Sequence, residues 1–216
     1  MKIAKGWAFP DADDFMAQQL ADDGTYQYHH LQAALAFVKK WDCAIDGGAH
    51  VGTWSLPMSL KFKRVLSFEP SPDTFECLSK NLKELHPAPN AELFDVALGS
   101  ASGWVTMTLD GFERAIEIKN TGARFTIEGG QTRRIRIDGL QLQELDFLKL
   151  DIEGGEPDAL KGARETLLRC KPVVLFEDKH HWSRYGYARR APHEFLASLG
   201  AVHLAREQMD EIWGWV

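Results

Sequence analysis

Cysteine is scarce in this chain. Cys43, Cys77 and Cys170 are the only three among 216 residues. They are widely spaced and form no paired motif, which excludes a disulfide framework and a zinc knuckle. Free thiols in a reducing compartment are the expectation. No apolar run is long enough to span a membrane. Met1-Lys2-Ile3-Ala4-Lys5-Gly6 has no apolar stretch behind its charges, so no signal peptide is expected and a cytoplasmic location is. Basic charge is also short: 25 Lys and Arg stand against 31 Asp and Glu, a net charge of −6. That balance gives no support to broad nucleic-acid binding, which calls for a basic face. Internal repeats and low-complexity tracts are absent. Two nucleotide signatures are missing as well. The dinucleotide pattern G-x-G-x-x-G fails because Gly48 and Gly52 are four apart with His50 between them, and G-x-x-x-x-G-K-[ST] does not occur.

What is present is a strand-helix alternation. Hydrophobic residues make up 44% of the chain, enough for one well-buried core. Residues 11–20 and 26–40 have helical spacing, with Leu31, Leu35 and Val38 on one face. After them the pattern reads strand 43–46, helix 53–61, strand 64–69, helix 72–85 and strand 91–96. His86-Pro87-Ala88-Pro89-Asn90 breaks the second of these helices. A strand at 103–109 precedes a polar, glycine-containing loop over 110–131 with short strand pieces. Arg133–Asp138 alternates like an exposed strand. Strand 146–151, helix 156–168, strand 172–177, helix 192–199 and a terminal strand pair at 201–205 and 211–216 complete the order. Such alternation implies an α/β fold with a mainly parallel sheet covered on both faces. Ligands of such sheets lie beyond the C-terminal strand ends, where Asp46, Glu69, Asp95, Asp151 and Glu177 all fall.

The most informative stretch is Ala44-Ile45-Asp46-Gly47-Gly48-Ala49-His50-Val51-Gly52, an apolar strand that ends in an acid and a glycine-rich turn. Gly48 and Gly52 are read as allowing a tight turn and a close ligand approach, with the next helix turning its positive end towards the ligand. A purely structural strand-to-helix turn would also use these glycines. Glu69 ends the next strand, 23 positions after Asp46, where an acid accepts from ribose hydroxyls in a β-α-β unit. Asp46 would repel a pyrophosphate and attract a cationic amino-acid group. S-adenosylmethionine (SAM) combines ribose, adenine, an ammonium and a sulfonium.

Four motifs extend this reading: Ile45–Gly52, Phe68-Glu69-Pro70, Asp95-Val96-Ala97-Leu98-Gly99 and Ile137-Asp138-Gly139-Leu140. The fifth, Asp146-Phe147-Leu148-Lys149-Leu150-Asp151-Ile152-Glu153-Gly154-Gly155-Glu156, continues to Ala159-Leu160-Lys161-Gly162-Ala163. In this order and spacing the chain resembles the FkbM-type class I SAM-dependent methyltransferases from about residue 43 to about residue 178. It departs from them at His50, where Asn is more usual, and at Gly155, where Ala is. The resemblance implies a Rossmann-like class I methyltransferase fold: a mainly parallel seven-stranded sheet with an antiparallel terminal strand and helices on both faces. Residues 1–42 would form an N-terminal helical cap and 43–216 the SAM-dependent domain.

It also implies SAM as cofactor, held by Asp46, Gly48, His50, Gly52, Glu69, Asp95, Val96 and Asp151. Asp95 would bind the exocyclic amine of adenine; a turn-forming role before Gly99 is the alternative. Asp151 and Glu153 are candidate catalytic residues, since charges at the end of an apolar strand must pair or bind something. Capping of the following helix is the other role open to Glu153 and Glu156. An oxygen nucleophile needs its proton removed. His180 or His181 suits that task, and His180 is the candidate base, with a place in a surface loop as its alternative. Asp151, Glu177 and His180 could hold Mg or Mn, although their spacing does not demand a metal. Trp182–Arg190 mixes aromatics and arginines, which suits sugars or anions or a connector with one buried ring. The expected reaction is methyl transfer to an acceptor oxygen, less readily nitrogen, of a small molecule or glycan unit. A peptide acceptor and a cofactor-binding module without turnover are the alternatives.

Overall fold

The structure, a computed structural model, describes residues 1–21, 24–109 and 120–215. It opens on an antiparallel hairpin of β1 (Lys2–Ala4) and β2 (Trp7–Phe9), followed by α1 (Phe15–Gln19) and α2 (Tyr28–Leu35). Both helices are shorter than their apolar spacing suggests. The second starts late because Gln27 is left-handed, with φ 48°, and a left-handed residue cannot continue a helix backwards. The described residues before β3 thus hold a hairpin as well as the expected helices.

The central elements follow the expected alternation. They are β3 (Cys43–Gly47), α3 (Ser55–Ser59), β4 (Arg64–Phe68), α4 (Pro72–Lys80) and β5 (Ala91–Phe94). Three strands of a side sheet come next, β6 (Ala97–Leu98), β7 (Gly103–Thr108) and β8 (Phe125–Glu128), and then its fourth, β9 (Thr132–Ile135). The chain returns to the main sheet with β10 (Phe147–Leu150), α5 (Glu156–Lys161), α6 (Arg164–Cys170) and β11 (Val173–Glu177). It ends with α7 (Ala191–Ser198), β12 (Val202–Glu207) and β13 (Asp210–Gly214). The expected loop at 110–131 lies in part outside the described residues.

The main sheet has seven strands in the order β12-β13-β11-β10-β3-β4-β5. β3, β4, β5, β10 and β11 are parallel, and β13 runs antiparallel to both of its neighbours. Alternate residues of the central strands go to opposite faces. Ala44, Val65, Phe147, Val173 and Leu175 pack with Leu31, Trp54 and Met58 on one face. Ile45, Leu66, Leu148, Val174 and Phe176 pack with Leu160, Leu167 and Leu196 on the other. Both faces are dry, which is why these strands read as unbroken apolar runs. Each fully buried Leu, Ile or Phe contributes about 1.5–3 kcal/mol.

Two expected elements differ. The helix over 156–168 is broken at Gly162, whose added Cβ would stand 2.0 Å from the Gly99 carbonyl. The strand over 133–138 stops at Ile135, and Ile137–Leu140 forms a 3-10 turn. Asp138 in that turn accepts from the amides of Glu165 at 3.1 Å and Thr166 at 2.8 Å. It thereby caps α6 and satisfies two of its orphan N–H groups. The Ile137–Leu140 motif is thus a joint between the side sheet and the main domain.

Candidate active site

A cavity opens at the C-terminal ends of β3, β4, β10 and β11. Of the expected site residues, Gly48, His50, Glu69, Val96, Asp151 and Glu153 line it, and Asp46, Gly52, Asp95 and His180 do not.

The glycine turn forms its floor. Gly48 and Ala49 both donate to the Phe68 carbonyl, at 3.0 and 2.9 Å, which pins the turn to β4. The packing of the turn itself requires both glycines. Gly48 has φ +76°, and a Cβ there would meet the Asp151 carbonyl at 1.8 Å; Gly52 has φ +98° and packs on Leu78 and Leu82. Asp46 is fully buried. Lys149 lies opposite it in parallel register, so their side chains share a face and meet at 2.9 Å. Ser55 donates to the other Asp46 oxygen at 2.6 Å, and Lys149 also donates to the Gly48 carbonyl at 2.7 Å. Burial works against the Lys149 charge, but Asp46 and Asp151 outweigh it and hold the ammonium above its usual pKa. Asp46 is therefore the counter-ion of Lys149 and does not line the cavity itself.

Glu69 faces the cavity from the end of β4. Its carboxylate accepts from the His50 amide at 3.0 Å and the Ser71 amide at 2.9 Å. Burial pushes its pKa up, against the pull of His50 and Ser71. His50, itself left-handed with φ 48°, reaches the other way. Its Nε2 is 2.9 Å from the Thr121 hydroxyl and 3.1 Å from Asp13. The Thr121 hydroxyl also donates to Asp13, which accepts from the Met16 amide at 2.9 Å. Burial opposes ionisation of Asp13, yet His50, Thr121 and that amide hold its carboxyl below the usual range. Asn81 fixes the hairpin to the same floor, donating to the carbonyls of Ala8 and Val51 and accepting from the Ala8 amide. Phe15, Met16 and Tyr26 from the N-terminal segment, with Thr121, Arg124 and Thr126, complete the walls. Sequence reasoning missed these residues. Nothing local marks them, because their role depends on contacts across long stretches of chain.

Beyond Leu150 the chain leaves the extended form. Glu156 accepts from the amides of Ile152 at 2.9 Å and Gly154 at 3.3 Å, which fixes a turn with Glu153 at φ 55°. Glu156 thus braces the turn that leads into α5 rather than capping that helix, and burial lifts its pKa to about 8. Glu153 is freed for the cavity and holds His181 at 2.7 Å. His180 is left-handed, with φ 60°, and stacks edge-on against Trp182. The strand ends at Glu177, before either histidine, and His181 rather than His180 is the one that contacts Glu153. Asp95 is exposed just past the end of β5, between Phe94, which stacks on Phe68, and the buried Val96. Asp151 and Glu177 are joined by Glu153, not His180, with carboxylate oxygens within 4.8 Å of one another. The aromatic segment is largely structural. Trp182 is fully buried and donates to the carbonyls of Ala188 and Arg189, and Tyr185 donates to the Thr126 carbonyl at 2.9 Å.

Glu177 is pushed up to about 9, chiefly by burial and then by Asp151 and Glu153, with Lys179 pulling the other way at 2.7 Å. The folded state therefore keeps a proton that an unfolded glutamate, near 4.5, releases. This group's contribution to stability falls as pH rises from about 4.5 to about 9. Glu177→Gln should remove that loss. The variant's melting temperature relative to the parent should rise between pH 5 and pH 9, and a difference independent of pH would refute the protonated state.

The Methyltransferase FkbM domain family matches residues 46–215. The hexuronic acid methyltransferase AglP of Haloferax volcanii is 32% identical over 141 residues, covering 62% of this chain and 55% of that protein. This chain covers 57% and 60% of two further curated methyltransferases, from Beauveria bassiana and Sordaria araneosa, and so spans somewhat over half of each of these relatives. The crystal structure of methyltransferase FkbM from Methylobacillus flagellatus superposes with a TM-score of 0.51 at 20% identity, covering 92% of this chain and 56% of that one. A Streptococcus mutans protein crystallised in complex with SAH superposes at 0.53 and 12% identity, covering 87% and 95%. These likenesses confirm the Rossmann-like class I methyltransferase fold, and the family match over most of its length makes this chain a member of the FkbM methyltransferase family.

Proposed function

We propose that this protein transfers a methyl group from SAM to an acceptor oxygen of a small molecule or glycan unit. The observation that carries this reading is the convergence of Glu69 with Asp151, Glu153 and Glu177 around one cavity at the strand ends. The donor set fits the cofactor. A carboxylate on β4 suits ribose hydroxyls, Val96 and its neighbours offer an apolar wall for adenine, and acids suit a group carrying an ammonium and a sulfonium. The SAH bound to the Streptococcus mutans protein supports the same choice. SAM, when bound, supplies a methyl already activated by positive sulfur.

The residues of this chain then do the rest. Phe15, Met16 and Tyr26 cover the cavity and limit water. Glu153 receives the acceptor's proton, with His181 holding its carboxylate in place. Glu177, already protonated near neutral pH, donates rather than accepts. The name of the AglP relative supports a sugar acid among the acceptors to test.

Calorimetric titration with S-adenosylhomocysteine tests the cofactor: micromolar affinity supports the reading, and no binding by folded protein sinks it. With an acceptor in hand, Glu153→Gln should lower kcat by about 10²-fold or more while S-adenosylhomocysteine binds as before. Equal losses in both would move Glu153 into the cofactor's grip.

A further inference from the structure

The family match covers residues 46–215, yet one wall of the cavity is built from earlier residues. Tyr26 stands there, two positions before α2, and shares the cavity with Thr53 and Lys149. We infer, on the SAM reading above, that Tyr26, Thr53 and Lys149 hold the carboxylate of the cofactor's amino-acid tail, with Asp151 as the partner of its ammonium. Recognition of the tail would then come in part from outside the matched residues.

The order of the sheet places the tail. Its central strands run β11-β10-β3-β4-β5. With ribose at Glu69, on the end of β4, and adenine beside Val96, past the end of β5, the rest of the cofactor crosses the ends of β3 and β10. Lys149 and Asp151 are found at that point.

Three donors there have capacity to spare. Among the described residues the hydroxyls of Tyr26 and Thr53 have no hydrogen-bond partner, although Thr53 is only 6% exposed. Burial pushes the Tyr26 pKa up to about 12, with Asp151 and Glu177 adding to the rise and Lys179 and Lys149 opposing it. The phenol therefore keeps its proton at neutral pH and can only gain by giving it to an anion. An ammonium offers three N–H donors. Lys149 gives one to the Gly48 carbonyl at 2.7 Å and meets Asp46 at 2.9 Å, which leaves one for a ligand. A carboxylate drawn into a buried site needs such charged and hydrogen-bonding partners.

The other cations of the cavity wall are engaged elsewhere. Arg124 grips both oxygens of Asp73. Lys179 lies against Glu177 at 2.7 Å, beyond β11 and two strands from the glycine turn. Of the three clustered acids, Glu153 is held by His181 and Glu177 by Lys179. The Asp151 carboxylate has no hydrogen bond or ion pair at these distances among the described residues. One free acid beside two free hydroxyls and a spare ammonium donor suits a zwitterion, which brings an ammonium for the first and a carboxylate for the others.

The test compares three ligands by calorimetry on the full chain. They are S-adenosylhomocysteine, its decarboxylated analogue, which keeps the ammonium, and methylthioadenosine, which has neither group. The parent should bind S-adenosylhomocysteine at least about tenfold more tightly than the decarboxylated analogue. Tyr26→Phe keeps the ring and removes the hydroxyl. It should weaken S-adenosylhomocysteine by about fivefold or more while leaving the analogue within about twofold of its parent value. Thr53→Val should show the same selectivity. Far-ultraviolet circular dichroism and melting curves establish that each variant is folded. Equal affinity of the parent for S-adenosylhomocysteine and the analogue overturns the inference. So does a loss in Tyr26→Phe of the same size for both ligands, the mark of a purely structural wall, and so does unchanged S-adenosylhomocysteine affinity in both variants. In each of these cases the cofactor still binds and the methyl-transfer reading stands. No binding of any of the three by the folded parent removes that reading as well.

Discussion

Asp46→Ala is expected to lower the unfolding free energy by about 3–5 kcal/mol, the cost of leaving one partner of a buried ion pair alone. Asp46 is fully buried and Lys149 nearly so, at 4%. Removing the carboxylate strands an ammonium in the middle of the sheet, with the Gly48 carbonyl as its remaining close contact. It also undoes the chain of hydroxyls in which Ser67 donates to Ser55 at 2.8 Å and Ser55 to Asp46. Adding Lys149→Met should recover part of the loss, because a well-packed apolar pair leaves no uncompensated charge. Urea unfolding of the two variants decides the matter. A single variant within about 1 kcal/mol of the parent would mean that water reaches the pair and that Asp46 is free for a ligand after all.

That outcome would also restore the simplest sequence reading of Asp46, which shows where such reading reaches its limit. An acid at the end of an apolar strand marks a strand end, and β3, β4, β10 and β11 were all legible in this way. The glycine turn and the order of motifs were enough for the fold and for the place of the cavity. What an acid faces is a different matter, because it depends on the strand beside it. Lys149 is 103 positions from Asp46 in the chain, and only the parallel register of β10 against β3 makes them partners.

The histidines show a second limit. Alternation separates His180 from His181 only while the strand lasts, and β11 ends at Glu177. Past that point a left-handed residue reverses the choice. Asp95 fails for the same reason at the end of β5. The walls of the cavity were not legible at all. Asp13, Tyr26 and Thr121 carry no motif, and a hairpin of three-residue strands is too short for a period to register. The convergence of Asp13 and Thr121 on His50 belongs to the tertiary structure alone. It also gives a structural use to the residue at which this chain departs from the usual family pattern.

Glu69 is where sequence and geometry agree, and its removal should have the largest effect on the cofactor. Glu69→Ala is expected to weaken binding of S-adenosylhomocysteine by more than tenfold, or about 1.4 kcal/mol. The carboxylate is 6% exposed and already oriented by the amides of His50 and Ser71, so little ordering cost remains when ribose hydroxyls arrive. Its truncation would leave those two amides short of an acceptor, a stability cost of about 1–3 kcal/mol that unfolding curves should record separately. Glu69→Gln keeps the shape but exchanges one acceptor for a donor, so its affinity should fall between those of the parent and the alanine variant. Calorimetry on all three proteins, each corrected for its folded fraction, resolves the series. If affinity is unchanged while stability falls, Glu69 serves only to brace the glycine turn, and the ribose must be held elsewhere in the cavity.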